Sequence, residues 1–216
     1  MTTLGKAPPA SKLRLAILLL AAGEGSRLGS IPKALLKKDG ESLLKHFCQT
    51  ALALSPVQFI IVNGFHAEAI EAEMAGLKRD IKLPYHLVSN AHPELGQSSS
   101  VRIGLEALGK NYDVLLIALC DQPAISQKEI VDLLNQYEKR NAGQEIVLPM
   151  VGEHRGNPVL FSKKVIEDIL AVPAMVCRPF MDAHPELVHI FSTDNEAYIL
   201  DVDTEEDIQK LGLQRD

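Results

Sequence analysis

The chain has no tryptophan, only 5% aromatic residues, and three cysteines, Cys48, Cys120 and Cys177, with no paired spacing. There is no CxxC pair or Cys/His cluster, hence no zinc signature and no disulfide framework. The thiols suit a reduced, cytoplasmic protein. The seven histidines, at 46, 66, 86, 92, 154, 184 and 189, show neither HxxxH nor HExxH spacing and read as surface or packing residues. Basic charge is also short: 22 Lys and Arg stand against 28 Asp and Glu, a net charge of −6. A nucleic-acid surface needs a basic face that displaces counterions, so no nucleic-acid partner is expected. Any polyanionic ligand must then be held by local charge or by a divalent metal. The apolar run at residues 15–22 is far too short to span a bilayer, and the polar segment through Ser11, with Pro8-Pro9, lacks the apolar stretch of a signal peptide. No membrane partner is expected.

What is present is ordinary for a soluble domain: 216 residues, 46% apolar and 23% charged, enough to bury a sizeable core. Residues 1–13 are expected to form a flexible tail and residues 14–216 a single domain. Short apolar runs at 15–20, 59–63, 85–89 and 114–119 alternate with helical spacing at 42–54, 67–75, 98–108 and 128–140. Such alternation argues for βαβ units and a mainly parallel sheet covered on both faces. After residue 140 the rhythm changes. Strands are expected at 145–150 and 157–161 around a Gly-rich turn, then helices at 163–171 and 177–183, strands at 188–192 and 198–202, and a last helix from Thr204. An antiparallel addition at the edge of the parallel sheet fits this ending.

The most informative stretch is Leu18-Leu19-Leu20-Ala21-Ala22-Gly23-Glu24-Gly25-Ser26-Arg27-Leu28-Gly29, with Lys33 four residues beyond. An apolar strand breaks into alanines and glycines whose backbone N–H groups approach an anion without Cβ interference, while Arg27 and Lys33 add charge. This is chemistry for holding a nucleoside triphosphate, although an ordinary strand-to-helix turn uses the same glycines. Ligands of open α/β sheets sit beyond the carboxyl ends of strands. Residues 23–33, Asn63-Gly64-Phe65, Ser89-Asn90 and Cys120-Asp121-Gln122-Pro123 should therefore border one crevice.

Asp121 ends the apolar run 114–119 where an unpartnered carboxylate is costly. Capping is the alternative role, but Ser126 with Glu129 already makes a capping box for the next helix. That leaves Asp121 for a cation, and Mg²⁺ takes one or two carboxylates plus phosphate oxygens. In Asp201-Val202-Asp203, a strand would put both carboxylates on one face, where one completes the metal site; equally, acidic residues suit the start of the helix opened by Thr204 and Asp207. Ser98, Ser99 and Ser100 offer hydroxyls to a ligand or a plain N-cap. Arg155-Gly156-Asn157-Pro158 is either a contact to a second substrate or a turn.

In order, Leu20-Ala21-Ala22-Gly23-x-Gly25-x-Arg27-Leu28-Gly29 with Lys33, Cys120-Asp121-Gln122-Pro123, Arg155-Gly156-Asn157-Pro158-Val159 and Asp201-Val202-Asp203-Thr204 resemble the nucleotidyltransferases of the molybdenum cofactor, a MobA-like NTP transferase family, over residues 14–212. The cytidylyltransferase branch is the nearest: its loop reads AAG where the guanylyltransferase branch tends to AGG, and its later motifs read GDQP, RGHP and DIDT. The resemblance implies an α/β, three-layer, Rossmann-like nucleotidyltransferase fold of the glycosyltransferase-A type, mostly parallel with an antiparallel addition. It implies a Mg²⁺-dependent cytidylyltransferase (Mn²⁺ being the other metal) that transfers CMP from CTP to the terminal phosphate of molybdopterin and releases pyrophosphate. Its partners are CTP or another NTP, molybdopterin, and a molybdoenzyme apoprotein that receives the product. Carried over by residue, Leu20, Ala21, Ala22, Gly23 and Gly25 contact the nucleotide, and Arg27 and Lys33 hold the triphosphate. Asp121 binds the metal with help from Asp203 or Asp201, and Ser99 and Ser100 approach the nucleotide. Lys33, Arg27 and Asp121 are the catalytic set, and Arg155, Asn157 and Asp201 the acceptor-binding candidates. Two positions depart from the pattern: Cys120 stands for the glycine before the Asp, and Asn157 for the histidine of the cytidylyl branch.

A phosphate-monoester acceptor is already anionic near neutrality, its second pKa being about 6. No general base is needed, in keeping with a chain that shows no His–Asp pair or nucleophile elbow. Other readings share parts of this chemistry: GTP with the same pterin, a sugar or alditol phosphate as acceptor, or a non-catalytic carrier that docks on a molybdoenzyme. A dinucleotide-binding oxidoreductase is suggested by Gly23-x-Gly25, but the third glycine falls at 29 rather than 28 and Asn63-Gly64, not an acid, ends the second strand.

Overall fold

A computed structural model describes residues 13–78 and 81–215. The expected tail lies outside these residues except for Leu13, which packs against the core. Along the chain run β1 (Leu15–Ala21), β2 (Lys37–Lys38), β3 (Glu41–Ser42), α1 (Leu43–Leu54), β4 (Gln58–Asn63), α2 (Ala67–Leu77), β5 (His86–Ser89), α3 (Gln97–Glu106), β6 (Val114–Leu119) and α4 (Gln127–Lys139). There follow β7 (Ile146–Val151), β8 (His154–Arg155), β9 (Val159–Ser162), α5 (Lys163–Ala171), α6 (Cys177–Ala183), β10 (Val188–Ser192) and α7 (Glu205–Lys210).

The main sheet has the order β10-β7-β9-β6-β1-β4-β5, with β8 paired to β7. β1 lies between β6 and β4, parallel to both, so both its faces must be covered. All seven of its residues are buried, which is why it reads as an unbroken apolar run. Period two divides it. Leu15, Ile17, Leu19 and Ala21 join a core with α1, α2 and α4, while Ala16, Leu18 and Leu20 join another with α3, α5 and α6. Helices on both faces make the three layers. Each such Leu or Ile, fully buried, contributes about 1.5–3 kcal/mol.

The antiparallel strand is not where the sequence suggested. β9 runs antiparallel inside the sheet, between β6 and β7, and the edge strand β10 is parallel to β7. A long excursion through α5 and α6 separates β9 from β10, so the chain does not return to the edge as a hairpin. Residues 198–202, expected as a strand, also differ. Glu196–Tyr198 is a 3-10 turn and the chain then runs on without a ladder partner. It is pinned by other means: the Tyr198 hydroxyl donates to the Glu129 carbonyl at 2.9 Å, and Val202 N–H donates to the Asp121 carbonyl at 3.0 Å. Val202 is buried with Leu28, Leu36, Leu43, Ile208 and Leu213 in a third, smaller core. Both expected capping boxes form, Ser126 with Glu129 and Thr204 with Asp207. Among the described residues, no helix is long and apolar enough to cross a membrane.

Candidate active site

The carboxyl ends of β1, β4 and β6 open onto a crevice of about 410 Å³. Its lining takes in Leu20, Ala21, Ala22, Gly23, Gly25, Arg27 and Lys33 from the first loop, Asp121 after β6, Asp203 near the C-terminus, and Ser100 of α3. The loop keeps its shape for a backbone reason. Gly25 has φ +67°, and a Cβ there would lie 2.2 Å from the Ile31 carbonyl oxygen. The Gly25 carbonyl accepts from Leu28 N–H at 2.9 Å and Ser30 N–H at 3.0 Å, closing the turn that presents Arg27.

The charged groups converge. Lys33 Nζ lies 3.2 Å from Asp121 Oδ2 and 2.5 Å from Asp203 Oδ1, and Arg27 Nη1 lies 2.7 Å from Asp203 Oδ2. Burial pulls the Lys33 ammonium down, but its hydrogen bonds and charge pairing with Asp203 and Asp121 outweigh this and hold its pKa above the ordinary lysine value. Asp203 is here because Val202 is anchored in the small core and tied to the Asp121 backbone. Residues 201–203 join no strand, so the period of two expected for the acidic pair does not hold: Asp203 lines the crevice and Asp201 the neighbouring pocket. Burial, and then the charge of Asp121, push the Asp201 carboxyl up to about 6.

The third-strand expectation shifts. Ser89 and Asn90 do not line the crevice; Pro93, Gly96 and Gln97 do. Asn90 works from behind, its amide donating to Ser99 Oγ at 2.8 Å and Ser100 Oγ at 2.9 Å. Ser99 does not face the crevice either, because its hydroxyl donates to the Gly96 carbonyl at 2.8 Å and caps the turn. His66 was expected at the surface or in packing, yet it lines the crevice beside Phe65, and its Nε2 lies 2.8 Å from the Glu24 carbonyl of the first loop. Nothing in the sequence marked that tie, which joins two loops through a single ring nitrogen. Cys120 also lines the crevice, with its buried thiol held far above its usual pKa by desolvation.

A second pocket of about 420 Å³ lies beside the first and shares Gln97 and Leu119 with it. Arg155, Asn157 and Asp201 all line it. Ile117, Leu148, Val159 and Phe161 give it apolar surface from β6, β7 and β9, and α6 adds Arg178 and Met181. Arg155 is paired with Asp182 at 2.6 Å. Gly156 is forced by close packing, since a Cβ there would lie 2.7 Å from Tyr198 Cβ and 2.8 Å from its carbonyl oxygen. Arg178 and Met181 belong to no motif, and only the fold brings them in.

The donor set suits a hard divalent cation. Asp121 and Asp203 offer carboxylate oxygens spaced so that one ammonium reaches both. Among the described residues no three His, Cys, Asp or Glu side chains are grouped to hold a metal alone, so a cation here would share these carboxylates with ligand oxygens. Charge balance points the same way. Asp121, Asp201 and Asp203 outnumber Lys33 and Arg27, and a triphosphate would add further negative charge.

A glycine loop, two cations and paired carboxylates at the carboxyl edge of this sheet define an α/β protein of the nucleotidyltransferase fold. Rv0371c of Mycobacterium tuberculosis H37Rv matches with a TM-score of 0.71 at 22% identity, over 93% of this chain and 98% of that one, and it has also been solved in complex with manganese. A nucleotidyl transferase of Methanothermobacter thermautotrophicus (Mth528) matches with a TM-score of 0.71 at 19% identity, over 93% and 96%. The model of the MobA-like NTP transferase domain matches residues 17–187, and the chain belongs to that family. The nicotine blue oxidoreductase of Paenarthrobacter nicotinovorans is 31% identical over 200 residues, covering 90% of this chain and 94% of the relative.

Proposed function

We propose that this chain is a cytoplasmic cytidylyltransferase that moves CMP from CTP to the terminal phosphate of molybdopterin and releases pyrophosphate. The observation that carries this reading is the juxtaposition of two cavities, one with the glycine loop, Arg27 and Lys33 and one with Arg155, Asn157 and Arg178 set among apolar side chains, with Asp203 on the first and Asp201 on the second. A two-substrate transfer needs that arrangement; a simple nucleotide binder does not. The chain's part is positional and electrostatic. Loop amides from Ala21 to Gly25, with Arg27, hold the β- and γ-phosphates, and Lys33 neutralises charge that develops on the oxygens around the α-phosphorus. Asp121 and Asp203 would hold Mg²⁺ or Mn²⁺, which when bound polarises phosphoryl oxygens. Ser100 and the first-loop backbone face the nucleoside. Arg155 and Asn157 orient the acceptor, whose phosphate monoester enters as a dianion and needs no base. AAG in the loop favours CTP, and Val159, Phe161 and Met181 beside Arg155 and Arg178 give a flat pterin apolar contact together with polar partners.

The test is pyrophosphate release with each of the four nucleoside triphosphates, with and without molybdopterin, in Mg²⁺. Release with CTP only when molybdopterin is present is expected; preference for another base or a sugar phosphate would replace the substrate assignment while keeping the class. The similarity to the nicotine blue oxidoreductase favours a second reading, a redox enzyme in which the crevice holds a dinucleotide. NADH raising the melting temperature where CTP with Mg²⁺ does not would select it.

A further inference from the structure

Helix α3 is the wall common to both cavities: Ser100 lines the crevice, Ser98 and Val101 the second pocket, and Gln97 both. The next residue, Arg102, reaches away from both cavities, and its side chain is 22% exposed. Its Nη1 donates to the carbonyls of Ile169 (3.3 Å), Val172 (3.0 Å) and Met175 (3.3 Å), and Nη2 to that of Leu170 (3.2 Å). Its Nε donates to Glu106 Oε1 at 2.6 Å. One guanidinium therefore gathers four main-chain carbonyls from a stretch of seven residues.

Two of those carbonyls, Ile169 and Leu170, are in the last turn of α5, where helical donors run out and a cation is favoured by the helix dipole; Ile169 also accepts from the capping Val172 N–H at 3.3 Å. The other two belong to the link between α5 and α6. The link's own backbone closes one turn, with Met175 N–H donating to the Val172 carbonyl at 3.2 Å. It contains Ala174 at φ +59°, and the residue before α6, Val176, supplies no side-chain cap. The residues just beyond the link, Val176, Cys177, Arg178 and Met181, line the second pocket.

We propose that Arg102 is a positioning residue for the second substrate: by tying the end of α5 and the 172–175 link to α3, it sets the place of the α6 side of the second pocket. This rests on the reading of that pocket as the acceptor's. The fork geometry is what matters, because a lysine at this position has a single point charge and cannot span four carbonyls. The nucleotide crevice draws on α3 only at its first turn, upstream of Arg102, and is left intact.

The experiment compares wild type with Arg102→Ala and Arg102→Lys in three measurements. Amide hydrogen exchange over residues 172–181 is expected to quicken at least tenfold in Arg102→Ala, with the loop at 21–28 unchanged. CTP·Mg²⁺ binding by calorimetry is expected to stay within twofold. With molybdopterin as acceptor, its KM is expected to rise at least tenfold while kcat stays within threefold, and Arg102→Lys should recover only part of this. Unchanged exchange over 172–181, or nucleotide binding lost in step with acceptor binding, overturns the proposal. If Arg102→Ala does not fold, Arg102→Lys is read by the same criteria. Wild type that fails to turn over molybdopterin rejects the acceptor assignment alone, and exchange with CTP binding then decides on Arg102.

Discussion

The two cavities are nearly equal in volume, about 410 and 420 Å³, yet they are built on opposite plans. The crevice at the carboxyl ends of the strands is dominated by one continuous loop, residues 20–27, laid over the ends of parallel strands and closed by charges. The second pocket takes two or three residues each from α3, β6, the 155–157 turn, β9 and α6, with Leu148 of β7 and Asp201 from the segment before α7. A site made from contiguous backbone tolerates side-chain variation and keeps its chemistry. A site made from scattered side chains changes its ligand with few substitutions.

Damage to the crevice should stop chemistry, whereas damage to the second pocket should alter acceptor use. The largest effect is expected for Asp121→Ala, which removes a carboxylate beside Lys33 that plays no part in core packing. Pyrophosphate release should fall by about 10³-fold or more with the melting temperature little changed. Near-normal turnover would remove the metal assignment. Chelation of divalent cations from wild type should abolish release and the thermal shift produced by CTP; a shift that persists in chelator would show that Lys33 and Arg27 suffice for binding. Lys33→Ala should cost on the order of 2–3 kcal/mol in kcat/KM, as loss of a preorganised charge does. An unaltered kcat/KM is incompatible with its role.

Smaller effects belong to the second pocket. Gly156→Ala forces a methyl against Tyr198 and should destabilise the protein by about 1–3 kcal/mol, read from denaturant unfolding. It should also raise the acceptor KM without moving that of the nucleotide; equal changes in both would mean that the pockets are not separable. Arg155→Ala breaks an exposed pair with Asp182 and should shift stability by less than about 1 kcal/mol. Its acceptor KM should rise several-fold, and no change would take Arg155 out of the acceptor site.

Legibility followed the same division. β1 and the loop after it were readable because a doubly buried strand is apolar throughout and a main-chain anion cradle needs glycine, both local demands. Asp121 stood out as an acid at the end of such a strand with the capping role already taken by Ser126 and Glu129. The reading missed the place of β9, since alternation of apolar residues gives a strand but not its neighbours. It also missed that residues 198–202 form no strand, because Tyr198 and Val202 are held by a hydroxyl bond and isolated backbone bonds to Asn157 and Asp121 rather than a ladder. His66 and Arg178 carried no local signal at all.

By itself the sequence determined the alternating α/β plan, the glycine cradle and the residues able to carry charge, because each of these obeys rules of period, burial or backbone freedom within a few neighbours. Only the tertiary structure decided that Lys33 sits between Asp121 and Asp203, that Asp201 and Asp203 serve different cavities, and that Arg102 clamps the end of α5. Those pairings join residues 67 to 170 positions apart, and such distances close only when the sheet and its helices pack as one body.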